Sequence, residues 1–158
     1  MDFEIRLVEK LDSVGLKPPP AAEPKGLYRP ILLSGSQAFL SGHLPFAPDG
    51  TLMTGRVADT ISPEDANLAA FYAGLSILAT LRKELGYLNR VVRLVKTVGF
   101  VACTPDFDAQ PSVINGCSQL FADVFGEASG VAARSAVGVA ALPLEACVEV
   151  EAIFEVNP

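Results

Sequence analysis

The fold is decided by residues 131–156, which read VAARSAVGVAALPLEACVEVEAIFEV. Successive side chains of a β-strand point to opposite faces of its sheet, and the alternation here predicts two strands, at about 131–141 and 146–156. The segment LPLE at 142–145 joins them. The sequence therefore predicts a pair of strands near the C-terminus.

Before this pair, two helical patterns flank a strand pattern. Residues 63–85 carry apolar side chains at helical spacing, with Ser62 as the N-cap and Gly86 as the stop. Residues 91–103 are rich in β-branched side chains and predict a central strand, and 112–125 predict a second helix. Small side chains on the first helix allow close approach to a neighbour, which we expect to be a sheet. They are Ala69, Ala70, Ala73 and Gly74.

The N-terminal part divides into a helix, a connector and two short strands. Residues 1–25 predict a helix and then a Pro-rich connector. Residues 28–33 and 37–41 predict strands around a Ser-Gly-Ser turn, and 26–158 form the main part of a single domain. The order of elements predicts an α+β fold, in which a mixed sheet carries two long helices on one face, plus an N-terminal helix. The apolar stripe of that N-terminal helix would be Leu7, Val8, Leu11 and Val14.

Composition and charge narrow the function classes. Half of the 158 residues are hydrophobic, the formal net charge is −6, and Lys and Arg do not cluster, which argues against a nucleic-acid-binding surface. No apolar run approaches the ~18 residues of a membrane span, and the charged first residues predict no signal peptide. Three cysteines and a single histidine predict free, buried thiols in the cytoplasm and no transition-metal site.

Two ionisable side chains stand out on the last two strands. Arg134 shares a strand face with the small residues Ala136 and Gly138, and Glu149 lies opposite the apolar face of its strand. One interpretation is a small cavity in which an arginine fork binds a carboxylate and a glutamate handles protons or water. The other is a solvated sheet face with an ordinary ion pair.

The spacing along the chain adds a geometric constraint. If the two strands form a simple hairpin, Arg134 pairs near residue 155, about six residues and roughly 20 Å from Glu149. The two side chains then share one pocket only if a neighbouring subunit contributes one of them, or if a bulge or bend intervenes. We therefore hypothesise that an active site, if present, lies at a subunit interface.

At this point the sequence resembles a known family, the reactive-intermediate deaminases (RidA, or YjgF-like, also labelled endoribonuclease L-PSP-like). The resemblance covers residues 26–156 in matching order and spacing, and the chain looks like a longer branch of that family. The blocks that carry it are GLY at 26–28, SGHLP at 41–45, VKTV at 95–98, RSAV at 134–137, LP at 142–143 and VEVEA at 148–152.

The resemblance implies a chorismate-mutase-like fold and a homotrimer with clefts between subunits. It also implies hydrolysis of small 2-imino or enamine acids to 2-oxo acids and ammonia. A protonated imine is already electrophilic, so this chemistry needs no metal or organic cofactor, and the composition predicts no nucleic-acid or membrane partner. By the same resemblance, Arg134 binds the substrate carboxylate and Glu149 positions or activates water. Tyr28 and the Ser41-Gly42 backbone line the pocket.

The sequence departs from the family pattern at three points. Ala136 stands where founding members carry a cysteine, so no thiol can act there. Those members carry an asparagine in the second helix at the position of Ser118. Either Ser118 or Asn115, one helical turn earlier, takes its place as a substrate-binding residue, or neither residue contacts the ligand. His43 replaces a glutamine and is either a general acid/base or a structural residue held by hydrogen bonds.

Three functions follow from these observations. The first is an imine or enamine deaminase. The second is a non-catalytic small-carboxylate-binding or regulatory protein that uses the same inter-subunit cleft, which the loss of the cysteine at Ala136 favours. The third is a ribonuclease, and the acidic composition, the absence of a basic patch and the single histidine argue against it.

Overall fold

The computed structural model describes residues 2–157, which form a five-stranded mixed sheet with its helices packed on one face. The predicted α+β architecture is confirmed. The strands, in chain order, are β1 (Ile31–Ser34), β2 (Gln37–His43), β3 (Val91–Ala102), β4 (Ala133–Val139) and β5 (Val148–Val156). The helices are α1 (Phe3–Ser13), α2 (Pro63–Leu85), α3 (Gln110–Phe125) and the short α4 (Glu127–Gly130), with 3-10 turns at Leu88–Arg90 and Pro143–Glu145.

The strand order is β1-β2-β5-β3-β4, so the last two strands of the chain do not form a hairpin. β4 runs parallel to β3, whereas β5 lies between β2 and β3 and is antiparallel to both. The turn at Pro143–Glu145 carries the chain past β3, and Leu144 and Glu145 adopt positive φ angles of 57° and 61° there. Alternation in the sequence indicates which face a residue occupies but not which strand lies next to it, and the hairpin assumption was therefore wrong.

The two long helices pack against each other as well as against the sheet. The predicted cap of α2 is present, because the Asp65 N–H donates to Ser62 Oγ at 3.0 Å. A Cβ at Gly74 would touch the Cys117 Sγ and Leu120 side chains of α3 at 3.0 Å. The small residue at this position thus allows α2 to approach a helix, not the sheet that the sequence led us to expect.

The N-terminal helix is anchored to the ends of α2 and α3. Leu7 and Leu11 are buried in the core, whereas Val8 and Val14 are exposed, so only half of the predicted stripe faces inward. The Glu4 carboxylate accepts from the Leu88 N–H at 2.6 Å, and its other oxygen lies 2.9 Å from the guanidinium of Arg82. After α1, the connector runs along α2 towards the start of β1.

The second face of the sheet, which we call the open face, carries no helix within residues 2–157. Large apolar side chains are exposed on it from both edges of the sheet: Leu32 is 53% exposed, Phe39 38% and Val137 43%. All three cysteines are buried in the core and form no disulfide bond, as predicted. An uncovered apolar sheet face of this extent is typical of a surface that another molecule covers.

Candidate functional site

The first part of the site, which we call the Glu149 pocket, is a cavity of about 630 Å³ beside the bend of β2. It brings together five of the residues predicted from the sequence. Tyr28 lies before β1, which begins only at Ile31, and so the tyrosine belongs to a loop and not to the predicted strand. The predicted residues that line the pocket are Tyr28, Ser41, Gly42, His43 and Glu149.

A β-bulge shapes this pocket. Leu40 pairs with Ala152 and His43 pairs with Val150, so two residues of β2, Ser41 and Gly42, stand opposite a single residue of β5. The Ser41 hydroxyl donates to the Arg29 carbonyl at 2.5 Å, which holds the preceding loop against the bulge.

Gly42 lies directly against the catalytic candidate Glu149. A Cβ at position 42 would overlap the Oε1 atom of the Glu149 carboxylate. Glycine allows this close approach because it has no Cβ; the φ angle of Gly42 does not lie in the left-handed region and places no demand of its own on the residue. The backbone of the bulge forms one wall of the space around the carboxylate.

Glu149 is a half-buried carboxylate on β5. Burial, and then the like charge of Glu151, raise the pKa of its carboxyl group above the ordinary value of 4.5. Among residues 2–157 it takes part in no salt bridge. A carboxyl group with a raised pKa in a cavity is suited to accept and return a proton.

His43 lies behind the bulge and is only 2% exposed. Its Nδ1 is 2.6 Å from the Ser41 carbonyl oxygen and its Nε2 is 2.9 Å from the Thr80 hydroxyl. Burial lowers the pKa of the imidazole below 6.5, although the hydrogen bond to Ser41 opposes this. Both ring nitrogens already have partners, which favours the structural interpretation of His43 over direct acid/base catalysis.

The second part of the site, which we call the Arg134 cluster, joins β4 to α3. Nη1 of Arg134 donates to Asn115 Oδ1 at 2.7 Å and to Ser118 Oγ at 3.1 Å. The sequence left open which of the two helical positions matters, and the structure shows that both hold the same guanidinium nitrogen. Two neutral oxygens orient the arginine, and no carboxylate among residues 2–157 forms a salt bridge with it.

The two parts of the site lie on opposite faces of the sheet. Arg134 pairs with Thr97, which is buried beneath the helices, whereas Glu149 pairs with Phe100 on the open face. Arg134 and Glu149 are separated by two strand spacings across the sheet and by three residues along the strand direction. At ordinary sheet spacings their Cα atoms therefore lie roughly 14 Å apart. Within one chain, therefore, Arg134 and Glu149 do not share a pocket.

Sequence reasoning missed the contribution of the N-terminal connector. Ala22, Glu23 and Lys25 line the Glu149 pocket, and the Lys25 ammonium lies 5.8 Å from the centroid of the Phe46 ring. The sequence also gave no signal for Thr80, because one threonine within a long apolar helix matches no motif. These contacts depend on the path of the connector, which Pro-rich composition does not define.

Residues 2–157 contain no group of three His, Cys, Asp or Glu side chains that could hold a metal ion. None of their helices is long and apolar enough to cross a membrane.

Comparison with known proteins identifies the family. Residues 6–156 match the family model described as "YjgF/chorismate_mutase-like, putative endoribonuclease". Protein TCP17 of Trypanosoma cruzi is 41% identical over 152 residues, which are 96% of this chain and 95% of that protein.

Two solved structures resemble the chain over nearly its whole length. The protein Atu1372 of Agrobacterium tumefaciens, described as having unknown function, is 38% identical with a TM-score of 0.89, covering 98% of this chain and 95% of that one. A protein of Shewanella oneidensis, described as a "putative endoribonuclease", is 27% identical with a TM-score of 0.90, covering 99% of this chain and 100% of that one. The chain belongs to the YjgF/chorismate-mutase-like family.

Proposed function

We propose that this protein is a hydrolytic deaminase of small 2-imino or enamine acids, which it converts to 2-oxo acids and ammonia. The observation that carries the proposal is the division of the site: an oriented, uncompensated arginine on one face of the sheet and a carboxylate with a raised pKa in a pocket at the other. Each part supplies what the other lacks for binding and hydrolysing an imino acid.

The parts meet, in this proposal, across the interfaces of a homotrimer. The exposed apolar side chains of the open face provide a surface to bury, and β4 is an edge strand that carries Arg134 at the rim of the sheet. Each interface would bring the Arg134 cluster of one subunit to the Glu149 pocket of the next. Such a head-to-tail contact generates a closed ring when the rotation between subunits closes.

The chemistry then needs only the residues of the chain and water. Arg134 binds the substrate carboxylate with its remaining guanidinium hydrogens, which places the C=N carbon near Glu149. The Glu149 carboxylate takes a proton from water as the water oxygen bonds to that carbon, giving a carbinolamine. Return of the proton to nitrogen makes the amine a leaving group. The C–N bond then breaks as the hydroxyl oxygen forms the C=O bond and gives its proton to the Glu149 carboxylate, which releases ammonia and the 2-oxo acid. Transfer of that proton to water or ammonia restores the carboxylate. A protonated imine is already electrophilic, so no cofactor is required.

The test is a competition for the imine. An amino-acid oxidase generates 2-imino acids from small, branched and sulfur-containing amino acids, semicarbazide traps them, and the protein competes with the trap. We expect wild type to suppress trapping and Arg134→Ala to lose most of that effect. Arg93→Ala is the matched control, because Arg93 pairs with Glu155 on the surface at 3.5 Å and belongs to neither part of the site. Equal activity of wild type and Arg134→Ala would contradict the proposal.

Mixing inactive variants tests whether the site is shared between subunits. Arg134→Ala and Glu149→Gln subunits, unfolded together and refolded, would form some interfaces with both native residues. Random assembly predicts recovery of about a quarter of wild-type activity if the site uses one residue from each of two subunits. No recovery in mixed oligomers of confirmed composition would show that one subunit supplies both residues.

The alternative is a protein that binds a small carboxylate without turnover, which the alanine at position 136 favours. Calorimetric titration with a 2-oxo acid separates the two functions. Saturable binding that depends on Arg134, with no suppression of imine trapping, would support the binding protein. We also propose the cytoplasm as its location, because its buried thiols remain unpaired.

A further inference from the structure

A chain of hydrogen bonds, in which each donor and acceptor can be assigned, runs from the N-terminal connector through α2 to the bulge of β2. A carbonyl oxygen can only accept, so the 2.6 Å contact with Ser41 requires the proton of His43 to be on Nδ1. Nε2 of the neutral ring is then an acceptor, and the Thr80 hydroxyl must donate to it across 2.9 Å. The Thr80 oxygen in turn accepts from the Ala22 N–H at 3.4 Å. Every proton in the chain therefore has a defined position.

This chain links three segments that are distant in sequence. Ala22 belongs to the N-terminal connector, Thr80 to the C-terminal part of α2, and His43 to the end of β2. His43 and Thr80 are buried, at 2% and 3% exposure, so water does not compete for these bonds. The chain of hydrogen bonds ends at the Ser41 carbonyl. The next residue of the polypeptide is Gly42, and the Glu149 side chain packs against it.

We propose that His43 and Thr80 are positioning residues. They hold the Ser41-Gly42 bulge in place, and the bulge in turn sets the orientation of the Glu149 carboxylate. Because Thr80 also binds Ala22, that orientation depends on the docked N-terminal connector. The catalytic part of this inference rests on the proposed function, whereas the positioning itself does not. His43 acts through the backbone and does not exchange protons with substrate, because both ring nitrogens have hydrogen-bond partners and burial lowers the pKa of the imidazole, which favours the neutral ring.

The first experiment reads the hydrogen bonds without any activity. His43 is the only histidine of the chain, so uniform ¹⁵N labelling of the protein gives one set of histidine ring signals in a two-bond ¹H–¹⁵N correlation spectrum and also labels the Gly42 amide. We expect the neutral Nδ1–H tautomer in wild type. Thr80→Val should shift the Nε2 signal towards that of an unbonded acceptor nitrogen, and it should also move the Gly42 backbone amide signal. Thr80→Ser, which keeps the hydroxyl, is the matched control and should leave both signals near their wild-type positions.

Two results in these spectra would overturn the inference. One is an Nε2–H tautomer in wild type, since the chain of donors would then run the other way. The other is a Gly42 amide signal that stays in place in Thr80→Val although the Nε2 signal has moved, because the bulge would then not depend on the chain. Both readouts remain valid even if wild type fails to suppress imine trapping, so the failure of the proposed function and of the positioning role can be told apart.

The second experiment measures turnover of the imino acid. Misplacement of a catalytic group by a fraction of an ångström is expected to lower kcat of Thr80→Val by roughly tenfold to a hundredfold, with KM little changed, because the carboxylate clamp lies elsewhere. Thr80→Ser should recover most of kcat. His43→Gln, whose amide offers a donor and an acceptor, should retain more activity than His43→Ala. Equal kcat for wild type, Thr80→Val and Thr80→Ser would show that the hydrogen-bond chain serves stability alone.

Discussion

The Arg134 cluster and the Glu149 pocket handle charge in opposite ways. Arg134 is held by two neutral oxygens, from Asn115 and Ser118, so its position is defined while its charge is left for a ligand. Glu149 has no such partner, and burial and Glu151 together raise the pKa of its carboxyl group. In the proposed function, one part of the site binds an anion and the other takes up a proton.

The separation of the two parts explains how the folded protein keeps both the unpaired Arg134 guanidinium and the raised pKa of the Glu149 carboxyl group. An arginine and a glutamate on the same face at close range would pair, which would neutralise the guanidinium and lower the pKa of the carboxyl group. Here the sheet lies between them. We infer that the fold keeps these two complementary groups apart within one chain, and that they come close to each other only when both contact a bound substrate.

The largest effect is expected from Glu149→Gln. Glutamine keeps the size of the side chain but cannot accept a proton from water, so kcat for the imino acid should fall by about 10²–10⁴-fold, the usual contribution of a general base. Binding of a 2-oxo acid, measured by calorimetry, should change little because Arg134 is intact. A variant that loses binding but keeps kcat would reverse the roles assigned to the two parts of the site.

Gly42→Ala should separate the carboxylate from the bulge without unfolding the protein. The new Cβ would overlap Oε1 of Glu149, which is the free end of a flexible side chain, and the carboxylate can therefore rotate away. We expect a loss in kcat of roughly a hundredfold, as for a misplaced catalytic group. The free energy of unfolding, from urea denaturation, should change by less than about 1 kcal/mol.

A double variant identifies the cause of that loss. In a Glu149→Ala background the overlap is absent, and adding Gly42→Ala should lower activity no further. An additional drop in the double variant would mean that Gly42 touches substrate or a second group, and not only the carboxylate.

The sequence was sufficient to predict the elements of this fold but not their arrangement. The bounds of α2 and the burial of Val148, Val150 and Phe154 follow from hydrophobic spacing and a cap, which are local properties of the chain. The insertion of β5 between β2 and β3 is not local. Partner choice depends on how α3 returns the chain parallel to β3, and that information is absent from the alternation of side chains.

The same limit applies to the candidate site. Five residues of the Glu149 pocket, namely Tyr28, Ser41, Gly42, His43 and Glu149, were identified by resemblance to family motifs, and the structure does bring them together. The distance between Arg134 and Glu149 was argued from a hairpin that does not exist, yet the strand order separates the two side chains for another reason: they face opposite sides. The link from Ala22 through Thr80 to His43 could not be predicted, because each residue contributes one hydrogen bond and none of the three shows a pattern in the sequence.

A smaller effect is expected from the residues that hold Arg134. Removing one oxygen, in Asn115→Ala or Ser118→Ala, leaves the guanidinium with a single anchor and more freedom. A hydrogen bond to a charged group contributes about 1.5–3 kcal/mol, of which water recovers part at this half-exposed site, so we expect KM to rise by roughly threefold to tenfold with kcat nearly constant. Gln119→Ala is the control, since Gln119 lies on the same helix but donates to Asp123. A fall in kcat at unchanged KM would place these residues with the chemistry instead of with carboxylate binding.

The smallest effect concerns the pH dependence set by Glu151. A general base must be deprotonated, so activity should be lost as the pH falls through the raised pKa of Glu149. The charge of Glu151 is the second cause of that raised pKa, after burial. Glu151→Gln removes it, and the acid limb of kcat/KM against pH should therefore move to lower pH, by less than about one unit because burial remains. Glu155→Gln is the matched control, because Glu155 lies further along the same strand beside Arg93 and should leave the acid limb in place. A limb that moves to higher pH in Glu151→Gln, or moves equally in both variants, would show that the titrating group is not Glu149.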